Sequence, residues 1–256
     1  MNATENVHFP RGWWSTTLVE REDWAPGLAT FRLAATLPDF KAGQYLNLGL
    51  DLDETRVKRA YSIASAPGQQ AEVYVRLVDE GKFTPSLFNL SLGDTIHVLG
   101  HPNGVFCLDH VADAAELWLV ATGTGLAPFV SMLRTAEPWS RFERIVLVHG
   151  VRHPSDLNYD AEFAEMRRRS SDRLIYVPMA TRPEGRTDVL GARIPVALQD
   201  GTLEARAGCT LAPERSQVML CGNPDMVEDM SKALDARGLR VHKKKAPGHV
   251  HLERYW

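Results

Sequence analysis

The hydrophobic rhythm of the chain changes once, near residue 112, and that change limits the folds open to it. Upstream, apolar residues come in short or alternating runs broken by turn residues. These are Thr16-Thr17-Leu18-Val19, Ala29-Thr30-Phe31-Arg32-Leu33, Tyr45-Leu46-Asn47-Leu48, Arg59 to Ser65, Glu72 to Leu77 and Thr95 to Leu99. Six such runs at this spacing predict a closed antiparallel barrel. Downstream, Glu116 to Ala121, Arg144 to His149, Arg173 to Val177 and Gln217 to Cys221 are near-continuously apolar. They alternate with helix-like segments near 127–133, 159–169, 193–198 and 224–237, the pattern of buried parallel strands under covering helices. The expected fold class is therefore β plus α/β: a six-stranded antiparallel barrel over 1–112, then a parallel-sheet domain over 113–256. At 256 residues the chain can bury two ordinary cores.

A formal charge of -3 and a pI near 6.3 give no overall bias toward nucleic acid or an anionic membrane, and neither is expected as a partner. The longest uncharged run, Leu117 to Leu133, carries Gly123, Gly125 and Pro128 and sits at the short limit for a bilayer. A buried strand, turn and helix is the expected reading. Cys107, Cys209 and Cys221 are too few and too scattered for a disulfide framework or a four-thiolate cluster. With no export signal visible at Met1 to Asn6, a reducing cytoplasm is expected.

Four stretches carry chemistry. Arg59-Ala60-Tyr61-Ser62 sets a cation, an aromatic face and a hydroxyl within four residues, which suits a ligand bearing both a phosphate and a planar ring. Alone it reads equally well as a half-buried strand. Gly81-Lys82-Phe83-Thr84-Pro85 predicts a short helix with Thr84 as N-cap and Pro85 first, its amides open to an anion beside Lys82. Thr122-Gly123-Thr124-Gly125 follows an apolar strand and opens a helix, although it is not the usual dinucleotide fingerprint. Cys221-Gly222-Asn223-Pro224-Asp225 repeats the arrangement at the carboxyl end of a later strand, where open α/β sheets bind ligands. Asn223 is expected to cap the helix that follows.

Arg152 follows the second strand of this domain, Arg182 the third, and Arg193 opens the next helical segment. Arginine favours a 2'-phosphate, whereas an acid beside the ribose favours a free 2'-hydroxyl. Asp156 shares a loop with Arg152 and is expected instead as a cap near the helix start. The phosphorylated nicotinamide cofactor is the expected one.

Taken in order, Arg59-Ala60-Tyr61-Ser62, Gly81-Lys82-Phe83-Thr84, Gly123 to Pro128, Cys221 to Pro224 and Glu253-Arg254-Tyr255-Trp256 resemble the bacterial branch of the ferredoxin/flavodoxin-NADP reductases. The resemblance covers nearly the whole chain. It implies an FAD barrel and an NADP(H) domain, with flavin between them and the C-terminal tail returning to it. Arg59 and Thr84 would hold the FAD pyrophosphate, Tyr61 would stack on the isoalloxazine and Ser62 would lie near its N5 edge. Ala60, Tyr74, Val75, Lys82 and Phe83 would complete the flavin site. Cys221 and Glu253 would flank the nicotinamide, with Thr124, Gly125 and Asp225 nearby. Arg152, Thr181, Arg182 and Arg193 would take the 2'-phosphate. Tyr255 and Trp256 would each cover a flat surface of FAD; plant-type members end at the Tyr of their Glu-x-Tyr motif, and this chain adds Trp256.

The implied activity is hydride transfer between NADPH and FAD, with single electrons passing to a ferredoxin or flavodoxin. Two rivals remain: the reductase component of an oxygenase system, and a non-catalytic flavin-binding relay or regulatory subunit. Arg237, Arg240, His242 and Lys243 to Lys245 form a basic run shortly before the terminus, expected to dock the acidic carrier. A monomer is expected.

Overall fold

The computed structural model describes residues 12–37 and 40–255. The chain divides into two units, Met1–Val105 and Phe106–Trp256. Phe106 belongs to the second because its ring packs on Phe129, and Arg141 holds the carbonyls of Leu108 and Val111 there.

The first unit is a six-stranded sheet of β1 (Trp13–Ala25), β2 (Leu28–Thr36), β3 (Tyr45–Leu52), β4 (Thr55–Ser62), β5 (Gln70–Arg76) and β6 (Thr95–Asn103). Their order is β4-β3-β6-β1-β2-β5, and every neighbouring pair is antiparallel. Just past β4 the ends meet: Ile63 bridges Val73 of β5, and the Ala64 N–H donates to the Glu72 carbonyl at 2.8 Å. The alternation seen in sequence puts Phe31, Leu33, Leu46, Leu48, Val73, Val75, Ile96 and Val98 into one core. Helix α1 (Phe83–Phe88) packs on that core through Phe83 and Leu87.

Helix α1 begins earlier than its sequence suggests. Lys82 occupies the capping position, with helical φ and ψ, and makes no side-chain cap. Thr84 lies in the first turn because its hydroxyl is used elsewhere: it accepts from the Val78 N–H at 2.9 Å and donates to the Val78 carbonyl at 3.2 Å. Pro85 falls at the third helical position, where an N–H would have no intrahelical partner in any case.

The second unit is a five-stranded parallel sheet, ordered β11-β10-β7-β8-β9. Its strands are β7 (Glu116–Thr122), β8 (Arg144–Val151), β9 (Leu174–Ala180), β10 (Ser216–Gly222) and β11 (Val250–Arg254). Helices α2 (Ala127–Leu133), α3 (Glu137–Arg141), α4 (Asp160–Arg169), α5 (Ile194–Gln199), α6 (Thr202–Ala207) and α7 (Pro224–Asp235) accompany it. Leu117 to Leu133 is strand, 3-10 turn and helix, and no helix among the described residues is long and apolar enough to cross a membrane. Trp118, Val146, Val148, Val218 and Leu220 centre a core that takes Val227, Met230 and Leu234 from α7.

Two local readings of the sequence need correction here. Asp156 does not cap α4: it ends a 3-10 turn, Pro154–Asp156, and the helix starts four residues later with Tyr159 as the flanking residue at φ 66°. The chain end, expected as a tail, is the fifth strand: β11 runs parallel to β10, with Cys221 opposite Glu253 and Gly222 opposite Arg254. Trp256 lies outside the described residues.

Candidate functional site

The second unit gathers its polar chemistry at the carboxyl ends of the strands. The turns after β7 and β10 are stitched together. A Cβ on Gly125 would lie 2.6 Å from the Cys221 carbonyl oxygen. One on Gly222, whose φ is 130°, would lie 2.2 Å from Thr122 Oγ1. Neither position admits another residue without moving backbone. The Asn223 N–H donates to Thr122 Oγ1 at 2.8 Å, and Asn223 Oδ1 caps α7 by accepting from the Asp225 and Met226 N–H groups. The close approach that Gly125 permits is thus to the protein's own second loop.

On this platform stand Cys221 and Glu253. The Cys221 thiol is fully buried and 3.9 Å from Glu253 Oε2. Burial, reinforced by the neighbouring carboxylate, pushes the thiol's pKa well above its ordinary value, so it stays a thiol. Burial also lifts the Glu253 carboxyl to about 7, a lift that the Cys221 hydrogen bond reduces. Tyr255 continues the strand, its N–H donating to the Gly222 carbonyl at 3.0 Å. Parallel register between β10 and β11 brings these groups together.

The arginines converge on the other half of the same edge. Arg152, Thr181, Arg182, Ala192 and Arg193 line a cavity of about 540 Å³. Main-chain bonds fix its walls: the Thr181 N–H donates to the Val151 carbonyl and the Arg182 N–H to the Arg152 carbonyl. Across the two loops, His153 Nδ1 lies 2.6 Å from Glu184 Oε1. Asp156 is not in the lining. Three guanidinium groups on one cavity with no carboxylate in its wall repel one another, a cost that a bound dianion removes. The residues fit a 2'-phosphate.

In the first unit, Tyr61 and α1 meet: the Tyr61 and Phe83 rings are 5.8 Å apart at 34°. Tyr61 is half-buried, which raises its phenol pKa, while Ser62 is buried and Arg59 and Ala60 are exposed. Arg59 donates to the Lys58 carbonyl at 2.7 Å. Since the Thr84 hydroxyl already donates to Val78, Thr84 has only its backbone N–H to offer an anion. Val75 points into the barrel core and Tyr74 to the opposite face, so Val75 can reach a ligand only through its backbone. An exposed cation beside a partly covered ring and a set of helix-start amides fits a flavin with its pyrophosphate.

Two residues at this edge escaped the sequence reading. One is Thr122, whose side chain ties the loops. The other is His149, fully buried in β8, with Nε2 3.0 Å from the Gly123 carbonyl. The signal for His149 was a lone polar residue directly after the apolar run Ile145 to Val148, still within the strand.

Comparison with known proteins agrees with both halves. Residues 15–107 match the family model described as an oxidoreductase FAD-binding domain, and residues 119–232 the oxidoreductase NAD-binding domain. The flavodoxin/ferredoxin–NADP reductase of Escherichia coli K12 is 35% identical over 246 residues, covering 95% of this chain and 99% of that one. The chain belongs to the flavodoxin/ferredoxin–NADP reductase family. A Neisseria gonorrhoeae ferredoxin NADP+ reductase, solved with bound FAD and NADP, superposes with a TM-score of 0.90 at 28% identity, over 96% of this chain and 100% of that one. An Amycolatopsis cytochrome P450 reductase superposes at 0.74 and 28% identity, this chain spanning 73% of it.

Glu253 provides a test that needs no turnover. An acid whose pKa is raised by folding, here from an ordinary 4.5 to about 7, stabilises the fold fully below the lower value. That contribution is lost as pH rises through the upper value. Glu253→Gln cannot titrate, so it should gain stability on wild type from about pH 4.5 to about pH 8, by on the order of 3 kcal/mol. Both proteins keep His149 and His251, so the difference in Tm between them isolates Glu253. A difference that does not change with pH would show that the carboxyl is not held in this buried setting.

Proposed function

We infer that the protein is an FAD-dependent flavodoxin/ferredoxin–NADP reductase, moving hydride between NADPH and FAD and single electrons between FAD and the carrier. When bound, FAD supplies the ability to exchange a hydride on one side and one electron at a time on the other. The observation that carries the reading is the pairing of Cys221 with Glu253 on the edge that also holds the arginine cavity.

The residues have distinct tasks in this reading. Arg152, Arg182 and Arg193, with Thr181, bind and orient the nucleotide through its 2'-phosphate. Thr124, Gly125 and Asp225 border the path of its pyrophosphate. The buried Cys221 thiol gives a compact, uncharged surface for the nicotinamide, so the reacting ring is not pinned by a thiolate. Glu253, able to hold a proton near pH 7, offers or withholds charge beside the ring. Tyr255 screens this place from water until the nicotinamide displaces it. Arg59, Ala60, Tyr61, Ser62, Tyr74, Val75, Lys82, Phe83 and Thr84 hold the flavin, and Trp256 extends the aromatic end of the chain. The boundary expected near residue 112 is drawn back to Val105–Phe106 in this division of labour.

The carrier is proposed to dock on the turn before β11. Lys243 and Ala246 exchange main-chain hydrogen bonds of 3.0 and 2.9 Å, which sets Lys244 and Lys245 at an exposed tip. Arg237 leaves the basic run, because its guanidinium binds Glu204 at 2.9 Å and the Leu198 carbonyl at 2.8 Å. His242 turns inward and stacks on His251 at 4.5 Å. The surface offered is therefore Arg240 with Lys243 to Lys245, suited to an acidic ferredoxin or flavodoxin. Three cysteines without a disulfide fit a reducing cytoplasm, and one chain acting as a monomer suffices for the reaction.

Replacing any one of Arg152, Arg182 or Arg193 by Ala should raise KM for NADPH roughly tenfold or more, the scale of a lost charge-assisted bond of about 1.5–3 kcal/mol. KM for NADH should hardly move. Wild-type protein that uses both cofactors equally would remove the 2'-phosphate from the cavity and return Asp156 to the ribose.

Charge reversal at Lys243, Lys244 and Lys245 should slow reduction of the protein carrier and flatten its salt dependence, while ferricyanide reduction by NADPH is kept. Equal loss with both acceptors would assign the turn to folding or to the flavin.

A further inference from the structure

Gly123 has φ 53°, and a Cβ built there would meet nothing within 4 Å. The Gly123–Thr124 peptide opens the 3-10 turn Gly123–Leu126, and a side-chain hydrogen bond adds to the turn's hold on its orientation. The carbonyl is taken by His149, an imidazole with 0% exposure that reaches it from within the sheet at 3.0 Å. A carbonyl only accepts, so Nε2 carries the proton. Nδ1 is then a bare acceptor, and it is buried with no hydrogen-bond partner among the described residues. A buried, unsatisfied nitrogen costs stability and calls for a reason.

In a planar trans peptide the C=O and the following N–H point in opposite directions. With the Gly123 carbonyl held inward, the Thr124 N–H points away from the ring, toward the ligand-facing side of the loop. Flipped, the same peptide would turn a partial negative charge to that side. We propose that His149 is a positioning residue which, by holding the Gly123 carbonyl, aims the Thr124 N–H at the pyrophosphate of the pyridine nucleotide. The proposal rests on the NADP(H) reading given above. Burial also holds the ring uncharged, its pKa brought down to about 4, so the donor is unchanged across the neutral range.

The test compares two ligands on the FAD-loaded protein by calorimetry: 2'-phospho-ADP-ribose, which has the pyrophosphate, and adenosine 2'-monophosphate, which lacks it. His149→Met should weaken the first about tenfold and leave the second within about twofold, as expected for one charge-assisted bond. His149→Gln, whose amide nitrogen reaches nearly as far as Nε2, should restore most of the loss. Thr124→Pro, which deletes the N–H without touching the core, should reproduce the selective loss even if the buried variants fold poorly. Equal weakening of both ligands by His149→Met, or full binding of 2'-phospho-ADP-ribose by Thr124→Pro, would overturn the proposal. Wild-type protein that binds the two ligands equally would instead remove the pyrophosphate from this loop, and the functional reading beneath the proposal would fall with it.

Discussion

Everything at the carboxyl edge of the second unit depends on one close approach between backbones. Gly125 lies against the Cys221 carbonyl and Gly222 against Thr122, and both contacts are closer than any side chain would allow. The Asn223 N–H bond to Thr122 Oγ1 locks the pair. Because β10 also carries β11, the same lock fixes where Glu253 stands relative to Cys221. The first strand of the unit is thereby coupled to its last, although 101 residues separate Thr122 from Asn223.

Burial does the electrostatic work at this edge. The Cys221 thiol, the His149 imidazole and the Glu253 carboxyl are all pushed toward their uncharged forms, and in each the first cause is desolvation. The charged groups stand apart, on the loops after β8 and β9 and on the basic turn before β11. That separation suits a reaction in which phosphate is gripped by fixed charge while the reacting ring enters a place free of it.

The architecture was largely legible in the sequence because it follows from periodicity, which a single chain displays. Alternation gave the barrel strands, and continuous apolar runs gave β7 to β10. What failed depended on distant partners. Thr84 followed by Pro85 looks like a helix start until Val78, six residues back, takes the hydroxyl. Asp156 looks like a cap until the chain turns at Tyr159 instead. Val250 to Arg254 is too short and too mixed to announce a strand, and becomes one only beside β10. Arg237 reads as part of a basic run, yet its partner Glu204 is 33 positions away. Of the arginines that line the cavity, Arg152 and Arg182 follow strand ends and Arg193 opens a helical segment, places that the apolar pattern itself locates.

The central claim is that NADPH, held by these arginines, delivers hydride to a flavin carried by the same chain. The direct measurement is the absorbance of the FAD-loaded protein mixed anaerobically with one equivalent of NADPH, then separately of NADH. Rapid bleaching of the flavin band by NADPH, with much slower bleaching by NADH, is the expected result. A flavin band unchanged by NADPH would contradict the claim, and would leave a flavin-binding relay in its place.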